Sequence, residues 1–197
     1  MNRSAIVLAG GASRRFGRDK LEARIDGRTL LDRAIRAVEV LVDEVVVVTA
    51  PGRDLPVLAP GDRPAPVRFI ADQEAYGGPL VGLRSGLGAA DGDTVLVVGG
   101  DMPTLVPAVL ALLLGRSPAA LGDASGALRP LPCSLERQAA LKTADELLAA
   151  GERRLRAALA RLGTIAVPWL EWQVLDPAGL SLVDIDEPGD LWRMRPG

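Results

Sequence analysis

Four short apolar runs, Ile6–Ala9, Val45–Thr49, Val67–Ile70 and Thr94–Val98, set the strongest constraint on how this chain can fold. Val45–Thr49 reads Val-Val-Val-Val-Thr, β-branched throughout and with no polar alternation. That is the pattern of a strand covered on both faces. The segments between the runs carry a helical period. Thr29–Leu41 puts Leu30, Leu31, Ala34, Ile35, Val38 and Leu41 at helical spacing, and a short helix is expected around Gly82–Ala90. Strands that alternate with helices imply crossover units and a mainly parallel sheet, so the expected class is α/β.

The chain changes character after residue 115. Residues 115–135 hold two short extended pieces around the turn former Gly122-Asp123-Ala124-Ser125-Gly126, which reads as a short antiparallel addition to the sheet. Leu141–Ala150 and Glu152–Leu162 read as helices separated by Gly151. Ile165–Val167 and Leu180–Ile185 are expected as late strands, with a terminal helix led by Pro188. Arg53–Pro66 contains four prolines and is expected to be a loop. No repeat or linker divides the chain, so residues 1–197 are expected to form one domain.

Composition removes several kinds of chemistry. Lys and Arg total 23 against 25 Asp and Glu, and the aromatics are three Trp, two Phe and one Tyr. A nucleic-acid partner is therefore not expected, since neither a positive field nor stacking platforms are present. There is no His, which excludes Ser-His-Asp catalysis and His-ligated zinc. The single cysteine, Cys133, forms no internal disulfide and reads as a small core residue. A bound metal would have to sit on carboxylates and water, which favours Mg²⁺. Met102–Gly115 is the most apolar stretch, but its 14 residues include Pro103 and Pro107 and do not span a bilayer. Ser4–Ala12 is followed by the charged Arg14-Arg15-Phe16-Gly17-Arg18-Asp19-Lys20, so it reads as a first strand rather than a signal segment. No membrane partner and a cytoplasmic location are expected.

Two glycine-containing motifs carry the chemistry. Leu8-Ala9-Gly10-Gly11-Ala12-Ser13 follows the first strand and is flanked by Arg14, Arg15, Arg18 and Lys20. Backbone N–H groups in such a loop can converge on an anion. The motif is not a P-loop, because Gly17 is followed by Arg18 and Asp19. Nor is it a dinucleotide fingerprint, because Gly10 and Gly11 are adjacent. A triphosphate site and a glycine turn with a solvated basic face both fit it. Gly99-Gly100-Asp101-Met102-Pro103 follows the Thr94–Val98 strand, and Asp101 suits either a metal ligand or a helix cap with Pro103 near N1.

Thr49 and Asp72 also follow apolar runs, and the Gly77-Gly78-Pro79-Leu80-Val81-Gly82 loop allows close backbone approach to a ligand at Gly78. Asp184 and Asp186, two residues apart, would share one face of a strand. Asp186 suits either a metal contact or the cap of the final helix. Gly151-Glu152-Arg153-Arg154-Leu155-Arg156 opens an amphipathic helix whose arginines form a solvated face or grip a second phosphorylated substrate.

LAGGASRRFGRDK resembles the signature of the molybdenum cofactor guanylyltransferases, the MobA-like nucleotidyltransferases, and GPLVGL, GGDMP, RPLP, GERR and DIDEP follow in the family's order. The resemblance implies a Rossmann-like three-layer sandwich that takes GTP and molybdopterin as substrates, uses Mg²⁺ and makes transient contact with other molybdenum cofactor proteins. It assigns nucleotide contacts to Leu8, Ala9, Gly10 and Gly11, with Gly78 nearby, and phosphate contacts to Lys20. Asp101 would hold Mg²⁺, with Asp186 as a second metal ligand, and Asp72 would help read guanine. Lys20 with Arg15 would hold the departing pyrophosphate. Thr49 stands where relatives often have Asn, Phe16 where Met is usual, and Asp184 and Asp186 where Asn is common. The competing readings are a cytidylyl or sugar-phosphate nucleotidyltransferase and a non-catalytic nucleotide-binding regulator.

Overall fold

The apolar runs form the interior of a sheet in which one strand runs against the others. The computed structural model describes residues 2–11, 20–53, 58, 61–72, 74 and 77–190. The strands are β1 (Arg3–Ala9), β2 (Arg24–Ile25), β3 (Arg28–Thr29), β4 (Glu44–Thr49), β5 (Val67–Ala71), β6 (Thr94–Gly99), β7 (Ala119–Gly122), β8 (Leu128–Glu136) and β9 (Ile165–Val167). The helices are α1 (Leu30–Glu39), α2 (Pro79–Ala89), α3 (Pro107–Leu114), α4 (Arg137–Ala149), α5 (Leu155–Arg161) and α6 (Trp169–Trp172). Seven strands make one sheet in the order β5-β4-β1-β6-β8-β7-β9, while β2 and β3 pair as a small antiparallel ribbon. β8 is antiparallel to both β6 and β7, which realises the ribbon expected from residues 115–135.

Strand alternation divides the core into two layers. Ala5 and Val7 of β1, Val45 and Val47 of β4, and Leu96 and Val98 of β6 pack with Leu31, Ile35 and Val38 of α1 and Leu110 and Leu114 of α3. Ile6, Val46, Val48, Val95 and Val97 face the other way, against Leu80, Leu83 and Leu87 of α2 and helices α4 and α5. Neither face of the central strands meets water, which is why these runs show no polar alternation. The expected three-layer sandwich is therefore observed. Thr29 caps α1, its hydroxyl accepting from the Asp32 N–H. Cys133 is fully buried, as expected, and burial pushes its thiol up to about 12.

One element expected from the sequence is absent from the described part of the chain. Leu180–Ile185 is not a strand: Leu180–Leu182 is a 3₁₀ turn followed by irregular backbone. The Asp176 carboxylate accepts from the N–H groups of Leu180 (3.0 Å) and Ser181 (2.7 Å), and Gly179 is left-handed with φ +67°. Those bonds take up the donors that a strand ladder would need. The terminal helix expected after Pro188 lies almost wholly outside the described residues.

The approach of α2 to β1 depends on Gly86. A β-carbon there would lie 2.5 Å from Ile6 Cγ2, and Ile6 is fully buried with a stiff β-branched side chain. Overpacking of this kind costs about 1–3 kcal/mol, of which a helix-propensity gain of about 1 kcal/mol offsets a part. Gly86→Ala is expected to lower the thermal unfolding midpoint by roughly 3–6 °C. An unchanged midpoint would mean that α2 can slide off the sheet without loss.

Candidate active site

β1 is the point at which the chain reverses its direction of travel across the sheet, with β4 and β5 on one side and β6 on the other. In open α/β sheets ligands bind beyond the carboxyl ends of the strands at such a point. The parallel register sets Ala9 opposite Thr49 and Leu8 opposite Gly99, so the glycine loop after β1 emerges beside the turn after β6. The ladder continues into that turn, as the Gly100 N–H donates to the Leu8 carbonyl at 2.9 Å.

A cleft of about 590 Å³ opens there, within the size range of small-molecule sites. The glycine loop supplies Leu8, Ala9, Gly10 and Gly11 to its wall, and Lys20 and Asp101 line it side by side. Asp72, Gly78 and Asp186 complete the set that the structure brings together from the sequence expectations. Gly78 has φ +99°, a left-handed backbone that favours glycine, and it packs against the Arg153 carbonyl.

The centre of the cleft is an ion cluster. Lys20 Nζ lies 2.7 Å from Asp101 Oδ2 and 3.0 Å from Asp186 Oδ1. Burial alone would lower the Lys20 pKa. The charge of Asp101 and hydrogen bonds to Asp101 and Asp186 outweigh it and hold the ammonium above its ordinary value of 10.5. Lys20 therefore stays charged through neutral pH, and its contribution to stability is lost only as pH rises above 10.5 and through the raised value. Asp184 stands close behind the cluster. Burial first, and then the charges of Asp186 and Asp101, raise its pKa above the usual carboxylate value.

The capping alternative for Asp101 does not hold, and the final helix that Asp186 would cap lies almost wholly outside the described residues. α3 begins at Pro107 with Val106 as its cap, so Asp101 caps no helix and instead pairs with Lys20. At the far end the Asp190 carboxylate accepts from the N–H groups of Asp186 (3.0 Å) and Glu187 (2.9 Å), while the Asp186 carboxylate turns to Lys20. Asp186 and Asp184 lie on irregular backbone, not on a strand face as expected from their spacing. What brings Asp186 to the cleft is the Ile185 N–H, which donates to the Asp101 carbonyl at 3.0 Å. Arg33 braces the same turn, donating to the Pro103 carbonyl at 3.2 Å.

Thr49 departs from its expected role. It is 2% exposed, its hydroxyl donates to the Ile70 carbonyl at 3.2 Å, and its neighbours Val48 and Ala50 line the cleft instead. Its carbonyl accepts from the Asp72 N–H at 2.8 Å, so Thr49 supports a site residue without facing the cleft. Arg15, together with Arg14, Phe16 and Arg18, lies outside the described residues.

The sequence reading missed Glu74 and Leu131, which also line the cleft. Leu131 sits in the Arg129-Pro130-Leu131-Pro132 motif, and only the antiparallel course of β8 carries it to this end of the sheet. Arg153 donates to Glu74 Oε2 (2.6 Å) and the Gly77 carbonyl (3.1 Å), which places the Gly151–Arg154 turn at the rim. Arg154 instead pairs with Glu152, and those bonds pull the half-buried Glu152 carboxyl down to about 2.

The donor set fits a hard cation. Asp101 and Asp186 share one ammonium and are partly open to solvent, at 24% and 54% side-chain exposure. Mg²⁺ takes one or two carboxylates and completes its shell with water and phosphate oxygens. Among the described residues no three Asp, Glu or Cys groups gather into a cage, so the donor set is this pair.

Comparison with known proteins gives the same architecture. A sequence model described as the MobA-like NTP transferase domain matches residues 5–165. The chain is 39% identical over 202 residues to a protein of Chloroflexus aggregans named a probable molybdenum cofactor guanylyltransferase, with 97% of this chain and 92% of that one covered. A protein of the same name from Opitutus terrae is 34% identical, with 88% and 90% covered. Among solved structures, molybdopterin-guanine dinucleotide biosynthesis protein A from Archaeoglobus fulgidus superposes with a TM-score of 0.74 at 23% identity, covering 96% of this chain and 95% of that one. The 2-C-methyl-D-erythritol 4-phosphate cytidylyltransferase of Thermus thermophilus gives a TM-score of 0.68 at 18% identity, covering 98% and 97%. At these identities the structures show a shared fold.

Proposed function

We propose, from the premise that the chain belongs to the MobA-like NTP transferase domain family, that it moves GMP from Mg-GTP to molybdopterin with release of pyrophosphate. The observation that carries the reading is the Lys20 ammonium held between Asp101 and Asp186 inside the cleft at the β1–β6 switch point. The choice of GTP and molybdopterin rests on the names of relatives that match nearly the whole chain.

In this reading the Leu8–Gly11 backbone and Lys20 bind the triphosphate, and Asp72 accepts from the guanine edge. The terminal phosphate oxygen of molybdopterin forms a bond to the α-phosphorus of GTP. The bond from that phosphorus to the bridging oxygen breaks, and pyrophosphate leaves. The attacking phosphate is already anionic, so a chain without His needs no strong general base. Catalysis then comes from alignment and charge neutralisation. Lys20, with Arg15 assigned by the family likeness, neutralises the departing pyrophosphate. Asp101 and Asp186 would hold Mg²⁺, which when bound offsets charge on the phosphate oxygens.

Thermal unfolding with each nucleotide and Mg²⁺ tests the base. GTP at about a hundredfold over its Kd stabilises by about 2.7 kcal/mol, several degrees for a domain of this size. CTP and UTP at the same concentration are expected to shift the midpoint far less. Stronger protection by CTP would replace the guanylyl assignment with a cytidylyl one.

A further inference from the structure

Ser85 lies on α2, is 9% exposed and does not itself line the cleft. A serine inside a helix ordinarily turns its hydroxyl to the carbonyl one turn back or to solvent. Ser85 instead reaches out of the helix and donates to Asp72 Oδ1 at 2.7 Å. The Asp72 N–H is already fixed on the Thr49 carbonyl, so this aspartate is held at main chain and side chain alike.

Gly82, one turn earlier on the same helix face, brings the cleft wall to the carboxylate. A β-carbon at Gly82 would lie 3.5 Å from Asp72 Oδ2 and 3.5 Å from Leu8 Cδ2. The helix thus presents its bare backbone to the cleft beside Asp72 and a hydroxyl behind it. The torsion that sets a carboxylate plane is broad and poorly defined by itself. Guanine offers two adjacent donors, N1–H and the 2-amino group. A carboxylate reads both only when its two oxygens lie near the plane of the base.

We infer that Ser85 is a specificity-determining positioning residue that fixes the plane of the Asp72 carboxylate for the 2-aminopurine edge. The inference rests on the reading of Asp72 as the base acceptor. Its mechanism is orientation: without the Ser85 donor the carboxylate rotates and the second hydrogen bond to the base is lost.

Equilibrium binding of GTP and of inosine triphosphate, which lacks only the 2-amino group, separates the possibilities. The parent is expected to prefer GTP, and Asp72→Asn to lose that preference. Ser85→Ala should narrow the GTP-to-ITP ratio by about tenfold or more, the loss of one well-formed hydrogen bond to a charged group. In the Asp72→Asn background Ser85→Ala should change nothing further, because the two act as one unit. Ser85→Cys, close in size with a weak donor, should give an intermediate ratio and guards against a packing defect in the alanine variant. If Asp72→Asn loses the preference while Ser85→Ala keeps it, or weakens both nucleotides equally, Ser85 is not the positioning residue and the base reading stands. If Asp72→Asn keeps the preference, the base reading falls and the role of Ser85 falls with it.

Discussion

Asp101→Ala is expected to retain the fold and to lose about a hundredfold to a thousandfold in the rate of pyrophosphate release. The fold survives because Asp101 contributes no core side chain. Its turn is held by backbone bonds that alanine keeps: the Met102 N–H to the Gly99 carbonyl, and the Ile185 N–H to the Asp101 carbonyl. Arg33 also continues to brace Pro103. Lys20 retains Asp186 as a partner at 3.0 Å. What disappears is the carboxylate nearest the lysine and half of the donor pair for a divalent cation. Asp101→Asn preserves the shape and removes the charge, so it is expected to lose a similar factor. A variant that released pyrophosphate at the parent rate would remove Asp101 from the mechanism.

Lys20→Met gives the second large effect, and its sign differs between ligands. The apolar replacement removes the cation shared by Asp101 and Asp186 and leaves those carboxylates repelling one another and any incoming phosphate. GTP affinity and turnover are each expected to fall, together by about a hundredfold or more. Mn²⁺ binding to the nucleotide-free protein, followed by its electron paramagnetic resonance signal, should strengthen, because the ammonium no longer competes for the two carboxylates. Unchanged GTP affinity together with unchanged Mn²⁺ binding would show that the lysine is only a structural tie between two loops.

The strands were legible because burial on both faces leaves an unmistakable run such as Val45–Val48, all of them buried. Lys20 and Asp101 were legible for a related reason. Asp101 follows the end of β6 by two residues and Lys20 closes the cationic glycine motif that begins at the end of β1, and parallel strands deliver their carboxyl ends to one rim. Thr49 followed the same rule and failed it, since strand alternation turned its side chain into the interior and its hydroxyl to Ile70. Position after a strand gives the rim, not the direction of the side chain. Asp186 reached the cleft for reasons that spacing does not encode: a bond from the Ile185 N–H to the Asp101 turn and burial of the Ile185 side chain against Ala23, Ile25 and Leu30, on irregular backbone where a strand was expected. Ser85 left no trace at all, because a serine within a helical period looks the same whether it faces solvent or an aspartate on another element.

The central claim is that a polyphosphate is gathered by the glycine loop and Lys20 next to the Asp101–Asp186 pair and is cut at its α-phosphorus. The most direct measurement supplies the purified protein with Mg²⁺, molybdopterin and GTP labelled at the α-phosphorus, and follows the label and the pyrophosphate together. Transfer of the label to the pterin with one pyrophosphate released per GMP moved is the predicted result. Bound GTP with neither label transfer nor pyrophosphate in the presence of molybdopterin would contradict it, and would leave a nucleotide-binding protein that does no transfer.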